Sequence, residues 1–208
     1  MELIDDSVVR FHATGGGAFK YQQMFESELK NHNVEFIKHD EMESLVNGMA
    51  FLLQFSKNPS FYFKMGEGKK QFSEEKLSFP KLLISIGSGV SIIKVNDYSS
   101  FQRVGGTMIG GGTLLGLSNL LTGVNDFDTI NELALKGHNE GVDMLIKDIY
   151  GDKSPFSELT GDLLASSFAK VAFENTLDDK LIGNIDRSKY KKEDILSSLV
   201  FMISFNIG

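Results

Sequence analysis

Glycine is concentrated at three places in this chain of 208 residues, and each lies at the end of a predicted strand or helix. The three segments are Thr14–Gly17, Gly87–Gly89 and Gly105–Thr113. Glycine lets the backbone adopt positive φ values and approach a neighbouring group closely, and exposed N–H groups in such turns bind phosphate. A single glycine turn is usually only a turn, but three in one chain favour a phosphate-binding function.

Strand-like segments dominate the first half of the chain. They are short apolar runs, bounded by polar or glycine-containing turns. The segments predicted as strands are 8–13, 34–37, 60–64, 82–86 and 90–95. The last two, joined by Gly87–Gly89, are expected to form a hairpin of buried strands, and the polar stretch 66–80 is expected to be a surface loop.

The clearest helix is predicted to begin after Asp40. Its apolar positions recur at helical spacing and give one apolar face. They are Met42, Leu45, Val46, Met49 and Leu53. Asp40 stands where an N-cap belongs, and Glu43 three residues later completes a capping-box pattern. This pattern places Glu41 in the first helical turn.

Helical patterns dominate the second half, from residue 113 onward. The first half also contains a helix, predicted directly after Gly17 from apolar residues near helical spacing. The helices predicted in the second half cover about 114–121, 126–137, 139–150, 160–178 and 189–207. The fold class is therefore α/β or α+β, with strands in the first half and helices in the second.

Composition and charge argue against several classes of protein. The net charge is −7 and the 21 basic residues are scattered, so the positive surface that duplex nucleic acid needs is absent. There is no cysteine, which excludes disulfides and thiolate metal sites. No segment reaches the ~18–20 apolar residues of a membrane helix, and the first residues do not form a signal peptide. We expect a cytoplasmic protein without nucleic-acid or membrane partners.

Several familiar site motifs are missing. The sequence has no GxxxxGK[ST] phosphate loop and no GxSxG nucleophile turn. The glycines of 105–113 lack the preceding strand–helix context and the later acidic residue of a dinucleotide-binding fingerprint. The four histidines, His12, His32, His39 and His138, do not have the HxxxH or HxH spacing of metal ligands. No metal site is predicted from side chains.

Four side chains are candidates for chemistry from residue type and position alone. Glu41 at a helix start is a candidate general base, because the helix N-terminus favours an ionised carboxylate; the alternative is an ordinary first-turn acid. Arg103 could hold a substrate carboxylate through two parallel hydrogen bonds from its guanidinium; the alternative is an ordinary surface arginine. Ser88 and Ser91 could donate to phosphate or a substrate hydroxyl, or be ordinary turn and strand serines.

The stretch LISIGSGVSIIKVNDYSSFQRVGGTMIGGGTLLGL at 83–117 resembles the type II (eukaryotic-type) pantothenate kinases. These carry IGSGVS, then an arginine, then GT-x-x-GGGT-x-x-GL. ATGGGAFKY at 13–21 matches their ATGGGA-[FY]-K segment, and HDEMESLVNG at 39–48 matches L-D-E-x-x-x-L-V-x-G. The segments LLTG (120–123), KDIYG (147–151), LLASSF (163–168) and FNIG (205–208) follow in the family's order.

The resemblance implies a fold and an activity. The family belongs to the actin-like ATPase superfamily with its ribonuclease-H-like fold, in which two lobes close over ATP. Its members use ATP and Mg²⁺ to phosphorylate pantothenate to 4'-phosphopantothenate, the first step of coenzyme A synthesis. They are dimers, and acyl-CoA is a common feedback inhibitor. Residues 1–80 would belong to the first lobe and 81–208 to an incomplete second lobe.

The resemblance also assigns roles by position. Glu41 would be the catalytic base, and Ser91 and Arg103 would bind pantothenate, with the arginine at its carboxylate. The residues assigned to the ATP phosphates and the nucleotide are Ser88, Gly110, Gly111, Gly112, Thr113 and Phe127. The residues assigned to the substrate site of a partner subunit are Tyr150, Leu164 and Ala165.

Two segments that the resemblance implies are missing. The family's D-x-G-[GS]-x-x-x-K loop around the β- and γ-phosphates would lie upstream of residue 1, and a glycine-containing segment that holds the adenosine would follow FNIG. We therefore expect a fragment that keeps the substrate-side residues and lacks part of the ATP site.

Two alternatives stay open. One is a non-catalytic subunit or scaffold of a pantothenate kinase complex, against which the retention of Glu41, Ser91 and Arg103 argues. The other is an actin-like kinase for another small carboxylate or a sugar, against which the match from IGSGVS to Arg103 argues.

Overall fold

The fold is described from a computed structural model. It describes residues 8–64, 68–73, 78–151, 160–173 and 187–208. The chain divides into two compact units. Unit 1 comprises Met1–Leu83 and Ile92–Val104, and unit 2 comprises Ile84–Ser91 and Gly105–Gly208.

Unit 1 begins with a parallel strand pair joined by helices. Strand β1 pairs with β2 in parallel, with Val9 opposite Val34 and Ala13 opposite Lys38. The connection holds two short helices, as a parallel pair requires a crossover. The bounds are β1 Val9–Ala13, α1 Gly15–Lys20, α2 Gln22–Glu28 and β2 Val34–Lys38. The two predicted strands are confirmed. The helix predicted after Gly17 is present but begins at Gly15, so the glycines form its first turn, and it is divided into α1 and α2.

Helix α3 (Glu41–Phe55) follows β2 and confirms the clearest sequence prediction. Asp40 is its N-cap. Val46 is fully buried with Ile93 and Val95, and Met42, Leu45 and Met49 pack around them. The apolar face read from the sequence is therefore the face that builds the core of unit 1.

The segment after α3 differs from the prediction. Strand β3 (Phe61–Phe63) was expected, but the predicted loop 66–80 contains a further strand, β4 (Lys70–Phe72). The two pair antiparallel, with Phe61 opposite Phe72. The Lys70 ammonium lies 3.7 Å from the centroid of the Phe61 ring, a cation–π contact that favours this pairing. Residues 65–67 and 74–77 lie outside the described residues.

A three-stranded sheet follows, in the order β5-β6-β7. Its strands are β5 Lys81–Ile86, β6 Val90–Val95 and β7 Phe101–Thr107. The predicted hairpin is confirmed, but the prediction that both of its strands are buried is wrong for β5. Exposed Leu82, Ile84 and Ile86 alternate along β5 with half-buried residues, so only one face is covered. Gly105 and Gly106, expected in a turn, lie within β7.

Unit 2 is mainly helical. Its core joins Ile130 of α5 to Leu196 and Leu199 of α8, with leucines of α4 packed against them. The helices are α4 Gly111–Thr122, α5 Phe127–Ala134, α6 Ile146–Tyr150, α7 Ala169–Phe173 and α8 Lys192–Ile207. Two short strands, β8 (Met144–Leu145) and β9 (Leu164–Ser166), pair antiparallel.

Two predicted helices of the second half are wrong. Residues 139–150 form a 3-10 turn, β8 and only a short α6, and residues 160–173 contain β9 and the short α7. The remaining part of the second predicted helix, 174–178, lies outside the described residues. Helix α4 begins at Gly111, three residues before the predicted start, so the glycines form its first turn.

Within the described parts of the chain, no helix has both the length and the apolar character needed to cross a bilayer.

Candidate active site

Glu41 lies in the first turn of α3, as the capping pattern predicted. The Asp40 carboxylate accepts a hydrogen bond from the Glu43 backbone N–H at 2.9 Å, and the Asp40 carbonyl accepts one from the Ser44 hydroxyl at 2.7 Å. These bonds fix the backbone on both sides of Glu41. Its side chain is exposed, so the carboxylate is accessible while its helix start is held in place.

The first turn of α1, which the glycines form, lies beside this carboxylate. A methyl group built on Gly15 would lie 3.9 Å from Glu41 Oε2 and 4.0 Å from its Cδ. Gly15 has a φ of +80°, which L side chains rarely adopt, so the backbone next to the carboxylate stays bare. The Thr14 hydroxyl donates to the His39 carbonyl at 3.1 Å, which ties the turn to the start of α3.

In unit 2, the Gly87–Gly89 turn is bonded directly to the first turn of α4. The Gly111 N–H donates to the Gly87 carbonyl at 2.8 Å, and the Gly112 N–H donates to the Ser88 carbonyl at 3.0 Å. The structure therefore brings together two of the glycine segments singled out in the sequence.

This contact requires glycine. A carbon attached at Gly110 would lie 2.8 Å from the Ser88 carbonyl oxygen, and one at Gly111 would lie 2.9 Å from that of Gly87. Both distances are too short for a side chain. The same position on Gly111 is 3.6 Å from Cζ of Phe127, so the ring predicted to lie near the nucleotide adjoins these glycines.

The hydrogen bonds bear on how phosphate could bind here. The family resemblance assigns binding of the ATP phosphates to Ser88 and to Gly110–Thr113. However, the N–H groups of Gly111 and Gly112 already donate to backbone carbonyls within the protein. The Gly110 N–H donates to the Thr113 hydroxyl at 3.3 Å. Ser88 itself is exposed at the turn. Nucleotide binding at this surface stays a prediction, and it would have to use groups other than these three N–H donors.

The two residues predicted to bind pantothenate lie on neighbouring strands. Ser91 is on β6 and half-buried, and Arg103 is on β7 and exposed. Arg103 was expected near a turn, but it is held by a strand. Ser91 belongs to unit 2 and Arg103 to unit 1.

The residues assigned to a partner's site lie around β8 and β9. Leu164 pairs with Leu145 across the two strands. Leu164 and Ala165 line a cavity of about 570 Å³, whose walls also include Glu140, Asp162, Phe201 and Phe205. Tyr150 is exposed at the end of α6. A contribution of these residues to a second subunit remains a prediction.

Asp143 is a buried polar centre that the sequence analysis missed. It is fully buried, and its carboxylate accepts hydrogen bonds from the Asn139 amide at 2.9 Å, the Phe168 N–H at 2.9 Å and the Ser198 hydroxyl. These donors come from three separate segments of unit 2. The only sequence signal was an acid placed between apolar neighbours, Val142 and Met144.

Asp148 and Lys170 form an ion pair near β8. The Lys170 Nζ lies 2.8 Å from Asp148 Oδ2, with side chains 31% and 26% exposed respectively. Burial raises the pKa of Asp148, but the hydrogen bonds from Lys170 and from the Leu145 N–H, with the positive charge of Lys170, outweigh it. The pKa therefore lies below its ordinary value. The carboxylate is ionised in the folded protein and fixes the start of α6.

This lowered pKa predicts an acid-dependent contribution to stability. Asp148 stabilises the fold above its unfolded pKa of about 3.9, and this contribution is lost as pH falls through the lower folded value. We expect Asp148→Asn to lower the urea midpoint at pH 7 and to reduce the steepness of its decline below about pH 4. Asp162→Asn is the control, since that side chain is 87% exposed and should change neither. Equal pH dependence in the Asp148→Asn variant and the parent would contradict the assignment.

No three His, Asp or Glu side chains of the described residues are grouped so that they could hold a metal ion.

The arrangement that the structure does show is a mixed α/β fold with an accessible carboxylate at a helix start and two glycine turns bonded to each other. The sequence profile of the Fumble family matches residues 2–208. The chain therefore belongs to the Fumble family.

Individual relatives carry more specific names. The chain is 44% identical over 206 residues to pantothenate kinase 2 of Oryza sativa subsp. japonica, covering 98% of this chain and 21% of that protein. It is 42% identical over 198 residues to pantothenate kinase 1 of Arabidopsis thaliana, covering 94% and 48%. It is also 39% identical over 208 residues to 4'-phosphopantetheine phosphatase of Mus musculus, covering 99% and 24%. The resemblance to pantothenate kinases is confirmed, and the chain spans between a fifth and a half of these relatives' length.

Proposed function

We propose that the protein containing this chain transfers the γ-phosphoryl group of ATP to the primary hydroxyl of pantothenate, giving 4'-phosphopantothenate and ADP. This would be the first step of coenzyme A synthesis. Membership of the Fumble family and the two relatives named pantothenate kinase support the proposal. The structural observation that carries it is the accessible carboxylate of Glu41, fixed at a capped helix start beside bare backbone at Gly15.

In this proposal Glu41 accepts the proton of the pantothenate hydroxyl. The oxygen then forms a bond to the γ-phosphorus as the bond to the β-phosphate oxygen of ADP breaks, and ADP leaves. Arg103 would pair with the pantothenate carboxylate and Ser91 would donate to the same substrate. Mg²⁺ would enter with ATP and neutralise phosphate charge, which is the main electrostatic requirement of such a transfer.

Further parts of the proposal rest on the resemblance alone. We assign the chain to an actin-like ATPase fold, with about 1–80 in one lobe and 81–208 in the other. Tyr150, Leu164 and Ala165 would complete the substrate site of a second copy in a homodimer, or of a related kinase subunit. Inhibition by acyl-CoA and a cytoplasmic location also belong to this set.

The proposal is tested with the full-length gene product that contains this chain. The protein is incubated with Mg·ATP in separate reactions, each containing one of four acceptors: pantothenate, pantetheine, a hexose or a short hydroxy acid. Phosphorylated products are identified by mass spectrometry. We expect ATP-dependent formation of 4'-phosphopantothenate, with turnover of pantothenate well above that of the hexose and hydroxy acid. A protein that phosphorylates another member of the panel instead would overturn the substrate assignment.

A second candidate is a non-catalytic, kinase-like part of a larger protein. Two observations favour it: the N–H groups of Gly111 and Gly112 are engaged inside the protein, and a similar segment occurs in a relative named as a phosphatase. Calorimetric titration with Mg·ATP and with pantothenate separates the two. A folded protein that binds neither and forms no product would support the second candidate.

A further inference from the structure

Two histidines of unit 1 are hydrogen-bonded to each other immediately before Glu41. His12 Nδ1 lies 2.7 Å from His39 Nε2. The ring centroids are 5.0 Å apart and the planes differ by 21°. This centroid separation is that of two rings meeting edge to edge through one hydrogen bond. The two nitrogens therefore point at each other, and one carries the hydrogen while the other offers a lone pair.

His39 is held at three points by consecutive residues of the opposite segment. Its backbone N–H donates to the Ala13 carbonyl at 2.9 Å, its carbonyl accepts from the Thr14 hydroxyl at 3.1 Å, and its ring is bonded to His12. The next residue along that segment is Gly15, and two residues after His39 comes Glu41, whose carboxylate lies beside Gly15.

The ring pair is the only side-chain-to-side-chain bond of these three anchors. The bond from the His39 N–H to the Ala13 carbonyl continues the pairing of β1 with β2. The bond from the Thr14 hydroxyl to the His39 carbonyl closes the turn. The ring bond joins two side chains, so it opposes rotation of the short segment between β2 and α3. Both histidines are exposed, so the bond contributes little by burial and acts chiefly through geometry.

We propose that His12 is a positioning residue for the base: its bond to His39 fixes the entry of α3 and thereby holds the Glu41 carboxylate beside Gly15. The inference rests on the proposed function, since it concerns where Glu41 meets a hydroxyl. A small displacement of a base costs turnover rather than binding, because proton transfer requires hydrogen-bond distance. Pantothenate binding, assigned to Ser91 and Arg103, should be largely unaffected.

Amide side chains provide a matched test of the ring bond. An asparagine places an amide oxygen or nitrogen where the histidine Nδ1 stands, and a glutamine reaches the position of Nε2. His12→Asn and His39→Gln therefore keep a donor or acceptor at the bonded atoms, whereas His12→Leu removes it. His32, an exposed histidine at the turn before β2, serves as the control site through His32→Leu.

The experiment measures kcat and KM for pantothenate in the full-length protein. We expect His12→Leu to lower kcat roughly tenfold with little change in KM, since small misplacement of a catalytic group has effects of this order or larger. His12→Asn and His39→Gln should stay within about threefold of the parent, and His32→Leu should match it. Nitrogen-15 NMR of the histidine rings gives a second readout, since the bonded pair must show one protonated and one unprotonated nitrogen facing each other.

The outcomes separate this inference from the proposed function. If the parent phosphorylates pantothenate and Glu41→Gln does not, but His12→Leu matches the parent, the inference is wrong and the function stands. Equal losses in His12→Leu and His12→Asn would also overturn it, because they would show that ring shape rather than the bond is needed. If the parent forms no product with any substrate, the proposed function fails, and the positioning role fails with it even when NMR detects the ring pair.

Discussion

Glu41→Gln is expected to reduce kcat for pantothenate phosphorylation by at least about a hundredfold, the usual contribution of a general base. The amide keeps the size and shape of the side chain but cannot accept the hydroxyl proton. Asp40 still caps α3 through the Glu43 N–H, so the helix start should be unchanged. The loss should therefore appear in kcat and leave KM for pantothenate within about threefold.

The neighbouring acid provides a matched control. Glu43 is in the same helical turn and is also exposed, but its contribution to the cap is its backbone N–H, which Glu43→Gln retains. We expect that variant to keep kcat within about twofold of the parent, as surface substitutions away from a site usually do. Similar losses in both variants would indicate that negative charge at the start of α3, rather than a base at position 41, is what turnover requires.

Binding must be measured alongside turnover. Isothermal titration with pantothenate should give the same affinity for Glu41→Gln and the parent, because the base does not hold the carboxylate of the substrate. Turnover by Glu41→Gln at more than about a tenth of the parent rate would remove Glu41 from the role of base.

The start of α3 could be predicted from the sequence because its causes are local. Asp40, Glu43 and the apolar residues from Met42 onward lie within four helical turns, and each acts through the backbone near it. The same holds for α5, where Asp126 accepts from the Thr129 N–H at 2.8 Å. Helix starts fixed by a side chain three residues away are visible in a sequence.

The elements that sequence reasoning missed depend on distant partners. Met144 and Leu145 form a strand only because Leu164–Ser166 pairs with them, about twenty residues later. Because the sequence does not reveal the pairing of β8 with β9, the apolar spacing of 139–150 favours a helix. Strand β4 likewise forms against β3, and its Lys70 gives no strand signal of its own.

The glycine segments show how far a site could be predicted. The sequence indicated that Gly110–Thr113 opens a helix, and residue type favoured N–H groups facing a phosphate. It could not indicate that the Gly87–Gly89 turn supplies carbonyls to two of those N–H groups. Nor could it pair His12 with His39, since parallel strands separated by two helices bring them together.

Asp143→Ala is expected to lower the free energy of unfolding by about 3 kcal/mol, because it leaves one buried and two partly buried donors without their acceptor. Those donors are the Asn139 amide, the Phe168 N–H and the Ser198 hydroxyl. Asp143→Asn should cost about 1 kcal/mol or less: its oxygen can serve Phe168 and Ser198, and the Asn139 amide can turn its oxygen to the new NH₂ group.

Two buried serines of unit 2 give this prediction a control with the opposite sign. Ser198 and Ser118 are both fully buried. The Ser198 hydroxyl donates to Asp143, whereas Ser118 Oγ has no hydrogen-bond partner among the residues that the structure describes. Ser198→Ala should destabilise by about 1–2 kcal/mol, since it removes a donor from a buried carboxylate. Ser118→Ala should be neutral or stabilise by up to about 1 kcal/mol, because it removes an unsatisfied hydroxyl from within α4 and improves helix propensity.

Urea unfolding of the four variants in the full-length protein, monitored by circular dichroism, ranks them by free energy of unfolding. We expect Ser118→Ala at or above the parent, then Asp143→Asn, Ser198→Ala and finally Asp143→Ala. If Asp143→Asn were as unstable as Asp143→Ala, the negative charge rather than the acceptor geometry would be what unit 2 requires. A destabilised Ser118→Ala would mean that its hydroxyl has a partner in solution, and the contrast between the two serines would then no longer support the role of Asp143.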